Sequence, residues 1–143
     1  MKVQDVMTSN VDWAAPDTSV YEVAKLMKEN DVGSIPICQN NKLIGILTDR
    51  DIVLYTVANG KNPKELLAGD IMSTDVVSIS PSQDAHEAAN LMASYQIRRL
   101  PVIDQGNLVG IVSIGDLALE KIHINEAGEA LNHISQHSVG HLQ

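Results

Sequence analysis

The chain has 143 residues, a formal net charge of −8 at pH 7 and 44% hydrophobic residues, with only 3% aromatic residues and no Phe. This negative charge disfavours binding to nucleic acid, and no apolar run reaches the roughly 18 residues of a membrane span. Cys38 is the single cysteine, which excludes an intrachain disulfide, and the N-terminus lacks the apolar core of a signal peptide. We therefore expect a cytoplasmic protein with no nucleic-acid or membrane partner.

Residues 5–53 repeat as residues 70–118 at a constant offset of 65 with no gap. Thirteen aligned pairs are identical: Asp5/Asp70, Met7/Met72, Val11/Val76, Pro16/Pro81, Glu22/Glu87, Ala24/Ala89, Leu26/Leu91, Met27/Met92, Pro36/Pro101, Leu43/Leu108, Gly45/Gly110, Ile46/Ile111 and Asp51/Asp116. An ungapped match of this length indicates two copies of one supersecondary unit. A copy of about 50 residues buries little surface alone, so we expect the two to pack face to face with pseudo-two-fold symmetry.

Each copy predicts the element order β-α-β-β-α, which is an α/β (α+β) fold. An extended piece, Val11 to Trp13 or Val76 to Ile79, comes first in each copy. A capping box then starts a helix, Ser19-x-x-Glu22 in the first copy and Asp84-x-x-Glu87 in the second. The helix has apolar residues at i, i+3, i+4 and i+7, and its methionine, Met27 or Met92, is assigned to the core.

Two short strands joined by a polar turn follow the helix in each copy, and a second helix begins near Asp49 or Ile114. The predicted strands are 34–38, 43–47, 100–103 and 108–112. The predicted domain boundaries are 1–60 for the first repeat, 61–69 for a linker, 70–120 for the second repeat and 121–143 for a helical tail. Within the linker, Pro63 to Leu67 can open a short helix.

The most informative motif is Thr48-x-x-Asp51, which recurs as Ser113-x-x-Asp116. One interpretation is a capping box, in which the hydroxyl and the carboxylate bind backbone N–H groups at a helix start. The other is a nucleotide site, where the hydroxyl donates to a phosphate and the carboxylate accepts from ribose hydroxyls. Repetition does not decide between them, because a cap would be duplicated too. Gly45 and Gly110 are expected to allow close packing rather than to contact a ligand.

Three short signatures occur twice in the same order, and together they resemble a tandem pair of cystathionine-β-synthase (CBS) domains, the Bateman module. They are Asp5-Val6-Met7-Thr8 with Asp70-Ile71-Met72-Ser73, Ile35-Pro36-Ile37 with Leu100-Pro101-Val102, and the glycine-to-aspartate segments 45–51 and 110–116. The resemblance implies a regulatory module that binds an adenosine nucleotide (AMP, ADP or ATP) in the cleft between its repeats. It also implies a homodimer that signals in trans to an effector protein.

The resemblance assigns the aspartate of each glycine-to-aspartate segment to ribose and its Thr or Ser to phosphate. Arg98 and Arg99 then form a candidate phosphate clamp; the alternative is a solvated charge pair at a strand entrance. The first repeat has Gly33 and Ser34 there instead, so the two sites are not chemically equivalent. Arg50 is a further phosphate candidate, or plain surface.

An adenine ring needs an apolar slot, and the family resemblance places it at the repeat openings. The candidate residues there are Met7, Thr8, Val11, Met72, Ser73 and Val76, with walls from Ile35, Pro36, Leu100 and Pro101. Core packing is the alternative for all of these residues. No cofactor is required in this interpretation beyond the regulatory nucleotide, with or without Mg²⁺.

The remaining candidate residues, the tail histidines and the cysteine, do not indicate a metal site or a catalytic site. His133, His137 and His141 have helical spacing that suits a metal, but solvent-exposed histidines of a tail are the preferred interpretation, so no metal site is predicted. Cys38 falls on a predicted buried strand, where a thiol is usually inert. No catalytic nucleophile with a partner histidine and no Walker-type loop is visible, so an enzyme is not expected. The competing interpretations are a ligand-free scaffold and a module for S-adenosylmethionine or NAD.

Overall fold

The computed structural model describes residues 1–119 together with residues 131, 132 and 134. The chain forms two compact units. One comprises Asp12–Val76 and is called the β1–β2 unit after its strands, β1 (Ser34–Gln39) and β2 (Lys42–Thr48). The other comprises Met1–Val11 and the described residues from Val77 onward, and is called the β3–β4 unit after β3 (Arg99–Asp104) and β4 (Asn107–Ser113). The opening segment of each repeat therefore belongs to the unit that contains the body of the other repeat. The fold is α+β in both units, as the sequence predicts.

The β1–β2 unit is built on helix α2 (Val20–Asn30) and an antiparallel hairpin of β1 (Ser34–Gln39) and β2 (Lys42–Thr48). The side chain of Ser19 caps α2 by accepting from the backbone N–H of Glu22 at 3.1 Å. The hairpin turn has positive φ at both Asn40 and Asn41, the geometry of a two-residue turn that matches strand twist. Helix α3 (Asp49–Tyr55) and a short 3₁₀ helix (Val57–Asn59) follow directly.

The β3–β4 unit repeats this arrangement with different residues. Helix α5 (Ala85–Tyr95) precedes an antiparallel hairpin of β3 (Arg99–Asp104) and β4 (Asn107–Ser113), and helix α6 (Ile114–Leu119) follows. The turn again uses two residues with positive φ, Gln105 and Gly106. Each of the four strands is at least one residue longer than predicted, because the turn and cap residues also pair across the hairpin.

Each unit has its own apolar core under its hairpin. Helix residues Val20, Val23 and Met27 pack with Ile35, Ile37 and Leu47 in the β1–β2 unit. The cluster of the β3–β4 unit comprises Val3, Ile79, Ala85, Ala88, Ala89, Met92, Ile97, Leu100, Val102, Val112 and Leu117. The prediction that Met27 and Met92 are core residues is confirmed. Among the described residues, no helix is long and apolar enough to cross a membrane.

The repeat openings contain a short helix that the sequence did not predict, α1 (Val3–Val6) and α4 (Ala68–Ile71). Neither helix starts at a Ser, Thr, Asp or Asn, which are the usual signals. Instead a later carboxylate reaches back: Asp5 Oδ2 accepts from the N–H of Lys2 and Asp70 Oδ2 from that of Leu67, both at 3.0 Å. This explains the aspartate of the opening signature.

The residues that follow each short helix attach the opening to a hairpin strand. In the β3–β4 unit, Thr8 exchanges two backbone hydrogen bonds with Ile111, at 2.8 and 2.9 Å. In the β1–β2 unit, Ser73 does the same with Ile46, both at 2.9 Å. Each opening is thereby fixed beside the strand that ends in the Thr or Ser of the glycine-to-aspartate segment.

Gly45 and Gly110 allow this approach. A Cβ added to Gly45 would lie 2.6 Å from Met72 Sδ and 2.9 Å from the Ser73 carbonyl oxygen. At Gly110 the same atom would lie 2.6 Å from Met7 Sδ and 2.9 Å from the carbonyl oxygen of Thr8. No side chain fits at these separations, so the prediction that these glycines serve close packing is confirmed.

Two sequence-based predictions about local structure are wrong. The extended pieces 11–13 and 76–79 do not form strands; their pairing is limited to single bridges, of the adjoining Ala14 with Ile37 and of Ile79 with Val102. The proline that comes two residues after each of these bridging residues cannot donate a hydrogen bond and stops further pairing. The linker from Pro63 forms a turn, closed by the N–H of Glu65 to the carbonyl of Asn62 at 3.0 Å, and not a helix.

Candidate functional site

The Thr48-x-x-Asp51 motif lies at the junction of β2 and α3, where it forms a reciprocal capping box. Thr48 Oγ1 accepts from the N–H of Asp51 at 3.1 Å, and Asp51 Oδ2 accepts from the N–H of Thr48 at 3.2 Å. Thr48 is 3% exposed and Asp51 6% exposed. Thr48, Asp51 and their neighbours in the β1–β2 unit are called the Thr48 site below.

The Ser113-x-x-Asp116 motif has the same geometry at the junction of β4 and α6. Ser113 Oγ accepts from the N–H of Asp116 at 3.1 Å, and Asp116 Oδ2 accepts from the N–H of Ser113 at 2.8 Å. Both residues are half-buried, so this pair is more accessible than Thr48 and Asp51. Ser113, Asp116 and their neighbours in the β3–β4 unit are called the Ser113 site.

The capping interpretation is therefore correct for both motifs, yet it does not exclude ligand binding. A hydroxyl that accepts one hydrogen bond still has its own proton to donate. A carboxylate has two oxygens with about four lone-pair sites, and the cap uses one oxygen. Each motif can hold its helix and still offer a donor for phosphate and an acceptor for a sugar hydroxyl.

Arg98 and Arg99 lie at the entrance of β3, directly across the hairpin from the Ser113 cap. Arg99 pairs with Ser113 in the strand register, and the Arg98 carbonyl accepts from the N–H of Ile114 at 2.9 Å. Burial lowers the pKa of Arg99, and the nearby carboxylate of Asp116 opposes this effect. A guanidinium keeps its charge at neutral pH despite such a shift. Arg99 is thus a half-buried cation beside Asp116 and Ser113, and Arg98 is exposed.

The Thr48 site has no such cation at the equivalent positions. Ser34 pairs with Thr48 in the register, and the Gly33 carbonyl accepts from the N–H of Asp49 at 2.9 Å. The Asp49 carboxylate lies close over Gly33, since a Cβ there would be 3.1 Å from Asp49 Oδ2. Arg50 is exposed. The chemical difference that the sequence indicated is present in the structure.

The opening residues fall into two sets, one in each unit. Met7, Thr8 and Val11 belong to the β3–β4 unit with the Ser113 site, whereas Met72, Ser73 and Val76 belong to the β1–β2 unit with the Thr48 site. The sequence did not predict that the opening of each repeat would belong to the unit formed by the body of the other repeat. Each strand glycine signalled that some backbone approaches closely, but not which segment supplies it.

The four residues predicted as walls of an adenine slot are two core side chains and two buried prolines. Ile35 is 2% exposed and Leu100 is fully buried, and both belong to the apolar cores. The core-packing alternative therefore holds for these two side chains. Pro36 and Pro101 are also buried, and they pair with Ile46 and Ile111, the strand residues that receive the openings.

Cys38 lies on β1 and is 1% exposed, as predicted, and burial raises the pKa of its thiol to about 11. A thiol with that pKa is almost entirely protonated at neutral pH and is a poor nucleophile. His133, His137 and His141 lie outside the described residues. Within the part of the chain that the structure describes, no group of three or more His, Cys, Asp or Glu side chains could hold a metal ion.

Comparison with known proteins gives consistent matches over this fold. A family model described as CBS domain matches residues 3–57 and again residues 68–122. CBS domain-containing protein YhcV of Bacillus subtilis is 44% identical over 137 residues, which covers 96% of this chain and 97% of that protein.

Two solved structures share the fold at comparable coverage. Hypoxic Response Protein I, solved with two coordinated zinc ions, has a TM-score of 0.74 and 34% identity over 83% of this chain and 98% of that one. CBSX2, solved in complex with AMP, has a TM-score of 0.73 and 28% identity over 87% of this chain and 98% of that one. With two matches to one family model over most of its length, the chain belongs to the CBS domain family as a tandem pair.

Proposed function

We propose that this protein is a non-enzymatic regulatory module that binds an adenosine nucleotide at the Ser113 site. The observation that carries the proposal is the group formed by Arg99, Ser113 and Asp116, a half-buried cation beside a hydroxyl and a carboxylate. These three groups match the two polar parts of a nucleotide outside the base: the cation and the hydroxyl suit the phosphate, and the carboxylate suits the ribose hydroxyls. The crystal structure of the family member CBSX2 with AMP supports this ligand class.

Each side chain has a distinct role in this proposal. Arg99 pairs with the phosphate through charge-assisted hydrogen bonds, and the exposed Arg98 adds a second guanidinium at the rim. Ser113 donates its hydroxyl proton to a phosphate oxygen. Asp116 uses the oxygen that the cap leaves over, Oδ1, to accept from the ribose hydroxyls. Met7 and Thr8, from the opening in the same unit, contribute to the surface that receives the base.

The module is further proposed to signal to a partner protein and to form a homodimer. Nucleotide binding alters its affinity for an effector protein in trans, and the module acts in the cytoplasm as a homodimer. The exposed apolar residues Val53, Leu54 and Tyr55 on α3 give a surface of the kind that association would bury. Mg²⁺ accompanies the ligand only if that ligand carries two or more phosphates.

Thermal unfolding with a ligand panel tests the proposal. AMP, ADP, ATP, NAD and S-adenosylmethionine are each added with and without Mg²⁺ to the wild type, to Asp116→Ala and to Asp51→Ala. A ligand at about 100 times its dissociation constant stabilises the wild type by roughly 2.7 kcal/mol. We expect an adenosine nucleotide to give this stabilisation. Asp116→Ala should weaken nucleotide binding by about 1–3 kcal/mol and reduce the stabilisation accordingly, whereas Asp51→Ala should keep the full stabilisation.

The two aspartate variants are matched, because each loses the same capping bond. A nucleotide shift that is as large in Asp116→Ala as in the wild type contradicts the assignment of the Ser113 site. The scaffold alternative predicts that both variants melt at lower temperature and that no compound shifts the wild type. A shift with S-adenosylmethionine or NAD alone replaces the nucleotide with that ligand.

A further inference from the structure

The first opening, residues 1–11, docks on the start of helix α5 through backbone hydrogen bonds. The N–H of Val3 donates to the carbonyl of Gln83 at 2.8 Å. The N–H of Ala85, the first residue of α5, donates to the carbonyl of Met1, also at 2.8 Å. These bonds hold the opening against the helix start within the β3–β4 unit.

The second opening, residues 66–76, makes the equivalent bonds to the start of α2 in the β1–β2 unit. The N–H of Ala68 donates to the carbonyl of Thr18 at 2.7 Å, and the N–H of Val20 donates to the carbonyl of Leu66 at 2.9 Å. All four positions match those of the other unit at the offset of 65. The backbone therefore gives neither unit a means to distinguish the two openings.

The sizes of the buried side chains are reversed between the two units. A large opening residue is clustered with small helix residues in the β3–β4 unit, and a small opening residue with large helix residues in the β1–β2 unit. These fully buried residues are Val3 with Ala85 and Ala88, and Ala68 with Val20 and Val23. Each opening thus complements the helix of the unit in which it lies.

Gly69 adds a second restriction on size in the β1–β2 unit. A Cβ there would lie 3.1 Å from both the Cβ and the carbonyl oxygen of Pro16, closer than ordinary contact. The equivalent residue of the first opening is Gln4, whose N–H donates to the carbonyl of Pro81 at 3.0 Å and which is exposed. The two openings therefore differ at two adjacent positions, and the second opening has the smaller residue at both.

We infer that the size of these buried side chains assigns each opening to its unit and prevents either repeat from closing on its own opening. The first opening in the β1–β2 unit would add a valine to a cluster that already contains Val20 and Val23. The second opening in the β3–β4 unit would leave a void where the methyl groups of Val3 stand. The exchanged arrangement avoids both losses. This assignment is independent of the ligand that the module binds.

Urea unfolding of the full chain tests the inference with two residue exchanges. The opening exchange is Val3→Ala with Ala68→Val, and the helix exchange puts alanine at positions 20 and 23 and valine at positions 85 and 88. We expect each exchange alone to lower the folding equilibrium constant by at least about tenfold, through overpacking in one unit and a void in the other. The combined variant gives each unit the residue set of the other and should recover most of the loss. Losses that add in the combined variant overturn the inference.

An exchange on the exposed face of the same helices is the matched control. Lys25 and Asn90 are equivalent and exposed, so Lys25→Asn with Asn90→Lys should recover none of the loss caused by the opening exchange. The single variant Ala68→Val serves if the opening exchange does not fold. It is expected to lose stability, and a neutral effect overturns the inference because the unit would then have room for a valine.

Hydrogen exchange followed by mass spectrometry shows where the loss arises. In the opening exchange, peptides from residues 1–11 and 66–76 should exchange at least about tenfold faster than in the wild type, whereas hairpin peptides should change less. The combined variant should return the opening peptides toward the wild-type rate. Unchanged exchange in the opening peptides of the first variant overturns the inference.

Discussion

The β1–β2 and β3–β4 units share their elements, turns and capping bonds, and they differ in the charges beside the cap. Thr48 and Ser113 accept the same backbone hydrogen bond at 3.1 Å, so the local fold is equivalent. Arg99 stands beside Asp116 in one unit, whereas Ser34 occupies that position in the other. The repeated motif therefore specifies the backbone, and in the proposed function the residues that are not repeated determine which ligand can bind.

The strand glycines test whether the two units are structurally equivalent. Gly45→Ala and Gly110→Ala each place a methyl group 2.6 Å from a methionine sulfur and 2.9 Å from a carbonyl oxygen, so the exchanged opening must move. We expect each variant to lose about 1–3 kcal/mol of unfolding free energy, and the two losses to be similar. Urea unfolding monitored by circular dichroism measures both.

Gly115→Ala is the control for this prediction. A Cβ there meets only Ser113 Oγ, at 3.6 Å, which is ordinary contact. Because Ala is a better helix former than Gly, this variant should be neutral or slightly more stable. Losses below about 0.5 kcal/mol at Gly45 and Gly110 would mean that the openings are not held closely against the strands.

Sequence reasoning recovered what depends on local chemistry. The gapless repeat gave the number of units, Ser19 gave a helix start, and Asn40-Asn41 gave a hairpin turn. It missed α1 and α4, since Asp5 and Asp70 hold these helices from their third residue and not from a cap position. It also missed the exchanged openings, because hydrogen bonds such as that of Thr8 to Ile111 link residues about a hundred positions apart.

Some features of the candidate site could likewise be predicted from the sequence, and others could not. The Thr48 and Ser113 motifs and the arginine asymmetry could be identified from the sequence, since the residues are close together along the chain or match by the repeat. The core position of Ile35 and Leu100 could not be predicted from the sequence, because both sides of a buried strand have similar apolar residues. The position of Asp49 over Gly33 likewise depends on the bend between β2 and α3.

Cys38 offers a smaller contrast between the units, since the equivalent residue in the second repeat is Ile103. Burial raises the pKa of Cys38 to about 11, above its value in the unfolded chain. The unfolded state therefore loses its thiol proton first as pH rises, and stability falls between the two pKa values. We expect about 1 kcal/mol of unfolding free energy to be lost from pH 9 to pH 10 through this group.

The measurement compares wild type with Cys38→Ala across that pH range. The variant is less stable at every pH, but its curve should lack the additional fall. Parallel curves would contradict the assignment of the pH dependence to Cys38. Below pH 8 the two curves should be parallel, because the thiol is protonated in both the folded and the unfolded state.

In the proposed function, Arg99 makes the Ser113 site a phosphate site. Titration of wild type and Arg99→Gln with AMP and with adenosine tests it most directly, since the two ligands differ only in the phosphate. Arg99→Gln is expected to weaken AMP binding by at least about tenfold, the scale of one charge-assisted hydrogen bond, and to leave adenosine binding unchanged. Equal affinity of wild type and Arg99→Gln for AMP would contradict it.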